Sequence, residues 1–373
     1  MEFKIKKGDF LNLLRWCQGI VEKKNAMPIL SNILLETTDK GLRVSATDLE
    51  VALVAEGTAE IKKEGRAVLH ARNLYEIIRE APEESIYFSN KGGPGNAGLE
   101  IQSGKAHFKI VGMKPEEFPN LPQVADKNDI EIEAGLLEEM IEKTYYATAT
   151  DETRYTLNGL YLEKIIREDK SLFRLVGTDG HRLSYVERVT DKKWKLDKGI
   201  IIPRKGIAEV RKLLVDGVGP LRMAIDEKAV LFQRDGVSLT IRLIEGEFPS
   251  YDQVIPKKAD RIASVDRTVL MGALRRSSIM MTDQGRGVRF TFGNGLIEIS
   301  SSNPDVGEVK EELAADFKGS NLQIGFNPRY FLDLLNVLED EKVILELKDE
   351  VSPCTIRSEF DRGFLALVMP MRV

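Results

Sequence analysis

Apolar residues recur at helical spacing twice in the opening third of the chain. Phe10, Leu13, Leu14 and Cys17 lie three or four positions apart, which places them on one face of a helix. A second helix is predicted for 72–81, where apolar side chains return at the same spacing. Short segments that alternate between apolar and polar residues surround both helices and predict strands. The pattern therefore predicts a domain of two helices and many short strands.

The same order of elements returns in the middle and last thirds. Helical patterns cover 136–145 and 270–277, and a second helix begins near Pro203 and near Asn327. Such a repeat predicts an α+β fold of three similar domains, each with two helices packed on antiparallel sheets. The predicted domains are 1–125, 126–256 and 257–373. Repeated domains tend to form a curved array, which a head-to-tail contact between two chains can close into a ring.

One short segment stands out in the middle third. Thr178-Asp179-Gly180-His181-Arg182-Leu183 follows a strand-like run and breaks it with a turn that contains glycine. Read alone, a His-Arg pair beside an aspartate is compatible with a catalytic site. The first third carries Thr47-Asp48 in the same setting, however, and the last third carries Ser302-Asn303. The turn therefore belongs to a threefold series in which only the middle copy has the His-Arg-Leu extension.

Composition excludes several classes of protein. The 373 residues carry a formal net charge of −5, with 42% hydrophobic and 30% charged residues. No apolar run reaches the roughly 18 residues that a membrane span needs, and the first ten residues lack the apolar core of a signal peptide. Cys17 and Cys354 have no paired spacing, so we expect a reducing cytoplasmic compartment. The negative charge disfavours a uniformly basic nucleic-acid binder, but positive charge confined to one surface remains compatible with it.

The sequence offers no assembled catalytic, metal or cofactor site. His70, His107 and His181 lack the spacing of metal ligands. The segment 93–98 matches the glycine pattern of a dinucleotide-binding loop, but alternating residues follow it, where that loop requires a helix. We interpret it as a hairpin turn. A phosphate-handling enzyme is therefore the third hypothesis. Nucleotide binding that is lost on Gly95→Val would support it.

Basic residues are grouped on the predicted helices. The second helix of each third begins with Arg72, with Arg204-Lys205 or with Arg329, and the middle one adds Arg211-Lys212. Lys23-Lys24 end the first helical region. Helices that show positive charge away from the sheets suit contact with phosphates that is independent of base sequence.

Several short strings, taken in order, resemble those of the bacterial DNA polymerase III beta subunits, the sliding clamps. They are Thr47-Asp48-Leu49-Glu50, Phe118-Pro119-Asn120-Leu121, Thr178 to Leu183, Pro203-Arg204-Lys205-Gly206, Gly325-Phe326-Asn327 and Met369-Pro370-Met371-Arg372. The resemblance covers essentially the whole chain. It implies a non-catalytic processivity factor for DNA replication, in which a homodimeric ring of six domains encloses duplex DNA and its helices line the hole. The implied partners are the DNA polymerase III alpha subunit, the clamp loader and other proteins with clamp-binding motifs.

The resemblance also implies site residues. The DNA-facing candidates are Lys23, Lys24, Arg72, Arg154, Tyr155, Arg204, Lys205, Arg211 and Lys212. A cleft for short peptides that end in apolar residues is expected at Leu157, Thr178, Gly180, His181, Arg182, Leu183, Pro249, Val254, Asn327, Tyr330, Val368, Met369, Pro370, Met371 and Arg372. The dimer contact is expected at Phe108, Ile279 and Met280.

Two features depart from the family pattern, and one alternative stays open. The loop before Tyr155 is acidic at Asp151 and Glu152, so only Arg154 and Tyr155 are kept there as DNA candidates. The chain ends in Val373, where a leucine is expected. The alternative function is a peptide-binding scaffold that uses the same cleft without a DNA role. It predicts that changes of helix lysines and arginines leave function intact.

Overall fold

The computed structural model describes residues 1–21, 27–90, 98–124, 129–190, 195–216, 219–281 and 287–373. Within these residues the chain forms six α-helices, two in each predicted domain. They are α1 (Lys7–Cys17), α2 (Ala71–Arg79), α3 (Ala134–Tyr145), α4 (Arg204–Asp216), α5 (Arg267–Ser278) and α6 (Pro328–Asn336). The helical periodicity of the sequence is thereby confirmed.

The strands of the described residues are short, and every pairing between them is antiparallel. They are β1 (Glu2–Lys6), β2 (Asn32–Thr38), β3 (Gly41–Thr47), β4 (Val51–Gly57), β5 (Glu60–Lys63), β6 (Arg66–His70), β7 (Ser85–Ser89), β8 (Leu99–Ser103), β9 (Ala106–Ile110), β10 (Asp129–Ile132), β11 (Gly159–Arg167), β12 (Lys170–Thr178), β13 (Arg182–Thr190), β14 (Ile200–Pro203), β15 (Leu221–Ile225), β16 (Ala229–Arg234), β17 (Val237–Arg242), β18 (Arg261–Asp266), β19 (Val288–Gly293), β20 (Leu296–Asn303), β21 (Gly307–Lys318), β22 (Leu322–Phe326), β23 (Lys342–Leu347), β24 (Cys354–Ser358) and β25 (Phe364–Val368). The α+β class is confirmed.

Two compact units account for the chain. The first unit consists of Met1–Gly135 and Lys205–Leu243. It holds a five-stranded sheet in the order β5-β1-β7-β8-β9 and an eight-stranded sheet in the order β10-β15-β16-β17-β4-β3-β2-β6. Phe3 and Phe10 both pack against the ring of Phe88, and all three are fully buried.

The second unit consists of Leu136–Arg204 and Ile244–Val373. Its twelve strands follow the order β14-β11-β12-β13-β25-β24-β23-β18-β21-β20-β19-β22. The rings of Phe290, Phe326 and Phe331 meet edge to face or tilted in its core, with centroids 5.1 to 5.4 Å apart. Asn327 caps α6 by accepting a hydrogen bond from the Arg329 amide, and Pro328 occupies the first turn, where its missing N–H costs nothing.

Strand pairing crosses both predicted domain boundaries. In the first unit β4 pairs with β17, with Leu53 opposite Leu239. In the second unit β13 pairs with β25, with Leu183 opposite Leu367. Because the sheets continue across the repeats, the compact units do not coincide with the predicted domains. Part of the predicted middle domain lies in the first unit and part in the second. The boundaries at 125/126 and 256/257 therefore stay a prediction.

The structure also describes the two cysteines, the strand that follows the glycine-rich segment and the apolar character of the helices. Cys17 and Cys354 are free and buried, and burial raises the pKa of the Cys17 thiol to about 12. Residues 93–97 lie outside the described residues, but the segment after them is β8, a strand where a nucleotide-binding loop needs a helix. Among the described residues, no helix combines the length and apolar character that crossing a membrane requires.

A network of four charges ties α3 to β13 and to the turn before β25. Asp361 accepts hydrogen bonds from Lys143 Nζ at 2.7 Å and from Arg188 Nη2 at 2.6 Å. Glu139 accepts from the same two cations, at 2.6 Å and 2.5 Å. Burial alone would raise the pKa of Asp361, but the bonds from Arg188 and Lys143 outweigh it and lower that pKa. The network thus favours the ionised carboxylate.

Replacement of Asp361 by asparagine should lower the free energy of unfolding by about 1–3 kcal/mol at pH 7, because two partly buried cations lose their charged partner. A lowered folded-state pKa contributes stability that is present above the unfolded pKa and is lost as pH falls through the folded pKa. The gap between wild type and Asp361→Asn in urea unfolding should therefore narrow below about pH 4. The exposed Asp197→Asn serves as control, and a gap that widens in acid would contradict the network's role.

Candidate functional site

The turn between β12 and β13 is closed by its own side chains. Asp179 Oδ1 accepts hydrogen bonds from the amides of His181 at 2.9 Å and Arg182 at 3.0 Å. Thr178 Oγ1 accepts from the Gly180 amide at 3.1 Å and donates to the Arg182 carbonyl at 2.6 Å. Gly180 has a φ of +86°, which a residue without Cβ adopts without strain. The threonine-aspartate-glycine order is thus required by the turn.

The first repeat builds the same turn between β3 and β4. Asp48 Oδ1 accepts from the amides of Glu50 at 2.9 Å and Val51 at 2.7 Å. Thr47 Oγ1 accepts from the Leu49 amide at 3.0 Å and donates to the Val51 carbonyl at 3.0 Å. Leu49 has a φ of +78° at the position that glycine occupies in the middle copy. The shared geometry indicates that Thr-Asp is a structural element of the repeat, and it gives no support to a catalytic aspartate.

Arg182 joins this turn to α6. Its Nε lies 3.0 Å from Asp179 Oδ2, and its Nη1 lies 2.5 Å from Asp333 Oδ2. Its guanidinium lies 4.8 Å from the centroid of the Tyr330 ring and 5.5 Å from that of Tyr146. Arg182 is therefore an ion-paired side chain that also stacks on aromatic rings.

The C-terminal residues lie against the same turn. Val368 pairs with Arg182 in the last position of the β13–β25 ladder. Beyond it the Met369 amide donates to the His181 carbonyl at 2.9 Å, and the Met371 amide donates to the Gly325 carbonyl at 2.9 Å. Met369, Pro370 and Met371 are each half-buried, so part of their apolar surface is open to solvent. The structure thus brings together the turn, the start of α6 and the C-terminal segment Met369–Val373, here called the tail.

A second apolar group adjoins the turn. Leu183 packs in a cluster with Val176, Tyr251, Leu365 and Leu367. Tyr251 is also the first residue of the 3-10 turn Tyr251–Val254, and Val254 at its end is 47% exposed. Pro249 is exposed just before it. Apolar side chains are thus partly exposed beside the turn, and their use as a peptide cleft stays a prediction.

Buried polar residues that the sequence did not single out hold this 3-10 turn. The Tyr251 hydroxyl donates to Glu163 and accepts from Arg174 Nη1 at 2.6 Å. Arg174 also pairs with Glu187 directly across the β12–β13 ladder. Burial, with the nearby Glu163 carboxylate, raises the pKa of Tyr251 and keeps the hydroxyl protonated. The signal in the sequence was Arg174, a single charge inside the apolar run from Leu172 to Val176.

Leu157, Arg154 and Tyr155 lie in one 3-10 segment, Glu152–Leu157. Leu157 is half-buried, and its carbonyl accepts from the Ala149 amide at 3.0 Å. Arg154 Nη1 donates to the Asp179 carbonyl at 2.8 Å, so this DNA candidate contacts the turn. Tyr155 is 57% exposed. Their contact with DNA stays a prediction.

Several of the basic DNA candidates interact with their own unit. Lys205 Nζ lies 2.6 Å from Asp48 Oδ2, and Lys212 Nζ lies 2.7 Å from Glu209 Oε2. Arg204 lies over the Tyr145 ring at 4.1 Å and donates to the Tyr145 carbonyl. These contacts hold the side chains against the protein, and Arg204 in particular is a stacked, half-buried residue.

Two other basic candidates are exposed. Arg72 lies in the first turn of α2, beside a groove of about 710 Å³ that also contains His70 and Arg79. Arg211 lies on the exposed face of α4 next to Lys212. Lys23 and Lys24 lie outside the described residues.

The candidate dimer residues are surface residues in separate units. Phe108 is half-buried on β9, the last strand of its five-stranded sheet. In the second unit, Ile279 is 70% exposed at the end of α5, and Met280 is half-buried. An edge strand with a partly exposed aromatic residue is suited to pairing with another chain.

Comparisons with known proteins agree along the full chain. Models of the DNA polymerase III beta subunit match its N-terminal domain at residues 1–122, its central domain at 131–250 and its C-terminal domain at 252–372. The beta sliding clamp of Caulobacter vibrioides is 32% identical over 376 residues, and that of Escherichia coli is 30% identical over 374; each alignment covers 100% of both chains. A Caulobacter crescentus clamp structure has a TM-score of 0.95 at 32% identity, with 100% of both chains covered. A Bartonella birtlesii clamp structure bound to griselimycin has a TM-score of 0.94 at 33% identity, with the same coverage.

Replacement of Gly180 by alanine should lower the free energy of unfolding by about 1–2 kcal/mol, because a Cβ is strained at a φ of +86°. Space is not the obstacle, since the nearest atom to such a Cβ is Arg154 Nη1 at 3.4 Å. Gly135→Ala in α3 is the matched control: its Cβ would meet nothing within 4 Å, and alanine favours the helix. Denaturant unfolding of both variants measures the difference, and a Gly180→Ala protein as stable as Gly135→Ala would contradict it.

Proposed function

Because the chain belongs to the DNA polymerase III beta subunit family, the non-catalytic sliding clamps of DNA replication, we propose that it acts as a homodimeric ring that encloses duplex DNA. The ring slides without sequence preference and tethers its partners through the surface formed by the Thr178–Leu183 segment, α6 and the tail. The observation that carries the proposal is the threefold repeat, matched by the family over the whole chain. We place the protein in the cytoplasm, where replication of bacterial DNA takes place.

Ring closure is proposed to join the first domain of one protomer to the last domain of its partner. Phe108 on the edge strand β9 supplies an apolar contact and unpaired backbone groups. Ile279, which is 70% exposed, and Met280 supply the apolar surface of the opposite partner. Burial of these side chains in the dimer protects an edge that would otherwise favour aggregation.

DNA contact is proposed to be electrostatic. Exposed cations such as Arg72 and Arg211 attract phosphates at any base sequence, and weak contacts allow sliding. The overall charge of −5 disfavours binding elsewhere on the surface. Enclosure then holds the DNA, so tight contact with bases is unnecessary.

The tail surface is proposed to bind short peptides that end in apolar residues. Leucine, valine and proline side chains form such a pocket, and the flexible methionines at 369 and 371 adapt to different partners. The Bartonella birtlesii relative, 33% identical, has been solved with griselimycin bound. The proposed peptide partners are the DNA polymerase III alpha subunit, the clamp loader and other proteins with clamp-binding motifs.

One observation favours the alternative of a scaffold without a DNA role. Arg204, Lys205 and Lys212 each interact with side chains of their own unit, which reduces the charge available for phosphates. The Lys212 partner, Glu209, is buried, so Lys212 does not readily exchange it for a phosphate. Arg72 and Arg211, however, are exposed on their helices, and the family match covers all three repeats. The clamp function therefore remains the one that the residues support best.

Removal of Met369–Val373 should abolish tethering of the polymerase, because it removes one side of the proposed peptide surface. The assay is extension of a long primed template by a matching polymerase and clamp loader. The DNA products should then be as short as those made without any clamp. Sedimentation should still show a dimer, since the proposed dimer residues lie elsewhere. Val351→Ala, a change at a residue that is 75% exposed on another surface, is the control. Full-length products from the truncated protein would refute the tail's role in tethering, and loss of the dimer would show that the tail is structural.

A further inference from the structure

The tail has no regular secondary structure, yet it is held at three points. The Met369 and Met371 amides donate to the carbonyls of His181 and Gly325, both at 2.9 Å. Arg289 Nη2 donates to the Val373 carbonyl at 3.0 Å. Only the first contact belongs to the surface predicted from the sequence. The other two lie on β22 and β19, adjacent strands at one end of the twelve-stranded sheet.

Two glycines make room for the tail at this end of the sheet. A Cβ on Gly325 would lie 2.3 Å from Val373 Cγ2 and 2.4 Å from the Met371 carbonyl oxygen. A Cβ on Gly287 would lie 1.8 Å from Val373 Cγ1. All three separations are far below a van der Waals contact. A side chain at Gly287 must therefore displace the side chain of Val373, and a side chain at Gly325 must also displace the backbone of Met371.

Conformational freedom does not explain these glycines. Neither Gly287 nor Gly325 has the positive φ that favours glycine. Gly325 is a paired strand residue opposite Arg289, in a register that alanine adopts as readily. The requirement at both positions is the absence of a side chain under the tail.

We propose that Gly287, Gly325 and Arg289 are positioning residues for the peptide-binding surface, and we call them the tail seat. They set how closely Met371 and Val373 lie against the sheet. Through the continuous backbone they also set where Met369 and Pro370 lie beside the Thr178–Leu183 turn. The seat rests on the proposed function, because it acts only through the tail wall of the peptide surface. Because the tail is already held in position, a partner peptide does not lose binding free energy to ordering it.

The nature of the last side chain follows from the same contacts. Val373 Cγ1 faces Gly287 and Val373 Cγ2 faces Gly325. A residue that branches at Cβ, as valine does and leucine does not, therefore faces both glycines at once. The valine at this end, where a leucine was expected, is matched to the seat.

The seat is tested by a compensating pair of substitutions, with griselimycin as the probe and direct titration as the measurement. Gly287→Ala should weaken griselimycin binding roughly ten-fold, because the new Cβ displaces Val373 and the tail with it. Val373→Ala removes the two methyl groups that meet the glycines. The new alanine keeps its own Cβ, which lies 3.3 Å from a Cβ placed on Gly287. The double variant Gly287→Ala with Val373→Ala should recover most of the lost affinity, whereas a general structural defect would not be rescued.

Controls separate the seat from the proposed function. Gly135→Ala, where a Cβ has open space, should bind as wild type does. Thermal unfolding and the dimer should be unchanged in every variant. If wild type fails to bind griselimycin, the proposed peptide surface itself is wrong. If wild type binds and the double variant is as weak as or weaker than Gly287→Ala, the seat is refuted while the surface stands.

Discussion

The pairing of β13 with β25 is the interaction on which the second unit depends. It joins strands of the predicted middle and last domains in one register, with Leu183 opposite Leu367 and Arg182 opposite Val368. The ladder ends at the Thr178-Asp179 turn, so the residues that follow β25 must pass this turn. The same pairing therefore makes the sheet continuous and delivers the tail to the surface proposed for partner binding. A slip of one residue would turn the inward side chains outward and remove both.

The first unit shows how the repeat can be used without such a surface. Its β4–β17 ladder places Val51 opposite Ile241, beside the matching Thr47-Asp48 turn. The Arg242 amide donates to the Glu50 carbonyl at 2.8 Å, as the Met369 amide does to His181. Where Arg182 joins its turn to α6, however, this copy has Val51, a residue without charge.

The sequence predicted local features well, because their causes are local. Helix periodicity, the start of α6 near Asn327 and the turn at Asp179 depend on residues within a few positions of one another. The resemblance to sliding clamps, which the family models confirm, supplied the arrangement of the repeats. Contacts between distant residues were missed. Asp333 lies 151 positions from Arg182, so nothing near Arg182 indicated that its charge is paired. The Arg174–Tyr251 bond and the glycines beneath Val373 depend in the same way on the folded sheet.

The central claim is that the ring holds DNA by enclosing it and makes only weak contacts with phosphates. The most direct test compares how long the protein stays on circular DNA and on linear DNA with free ends. Labelled protein is loaded onto nicked circular DNA with a matching clamp loader and ATP, free protein is removed, and the circle is cut once. The account predicts that the protein leaves the linear DNA within the time for which uncut circles retain it. Protein that stays on the linear DNA at moderate salt would show that contact holds it, and would contradict the ring. A known sliding clamp loaded in parallel establishes that the loader is active on this DNA.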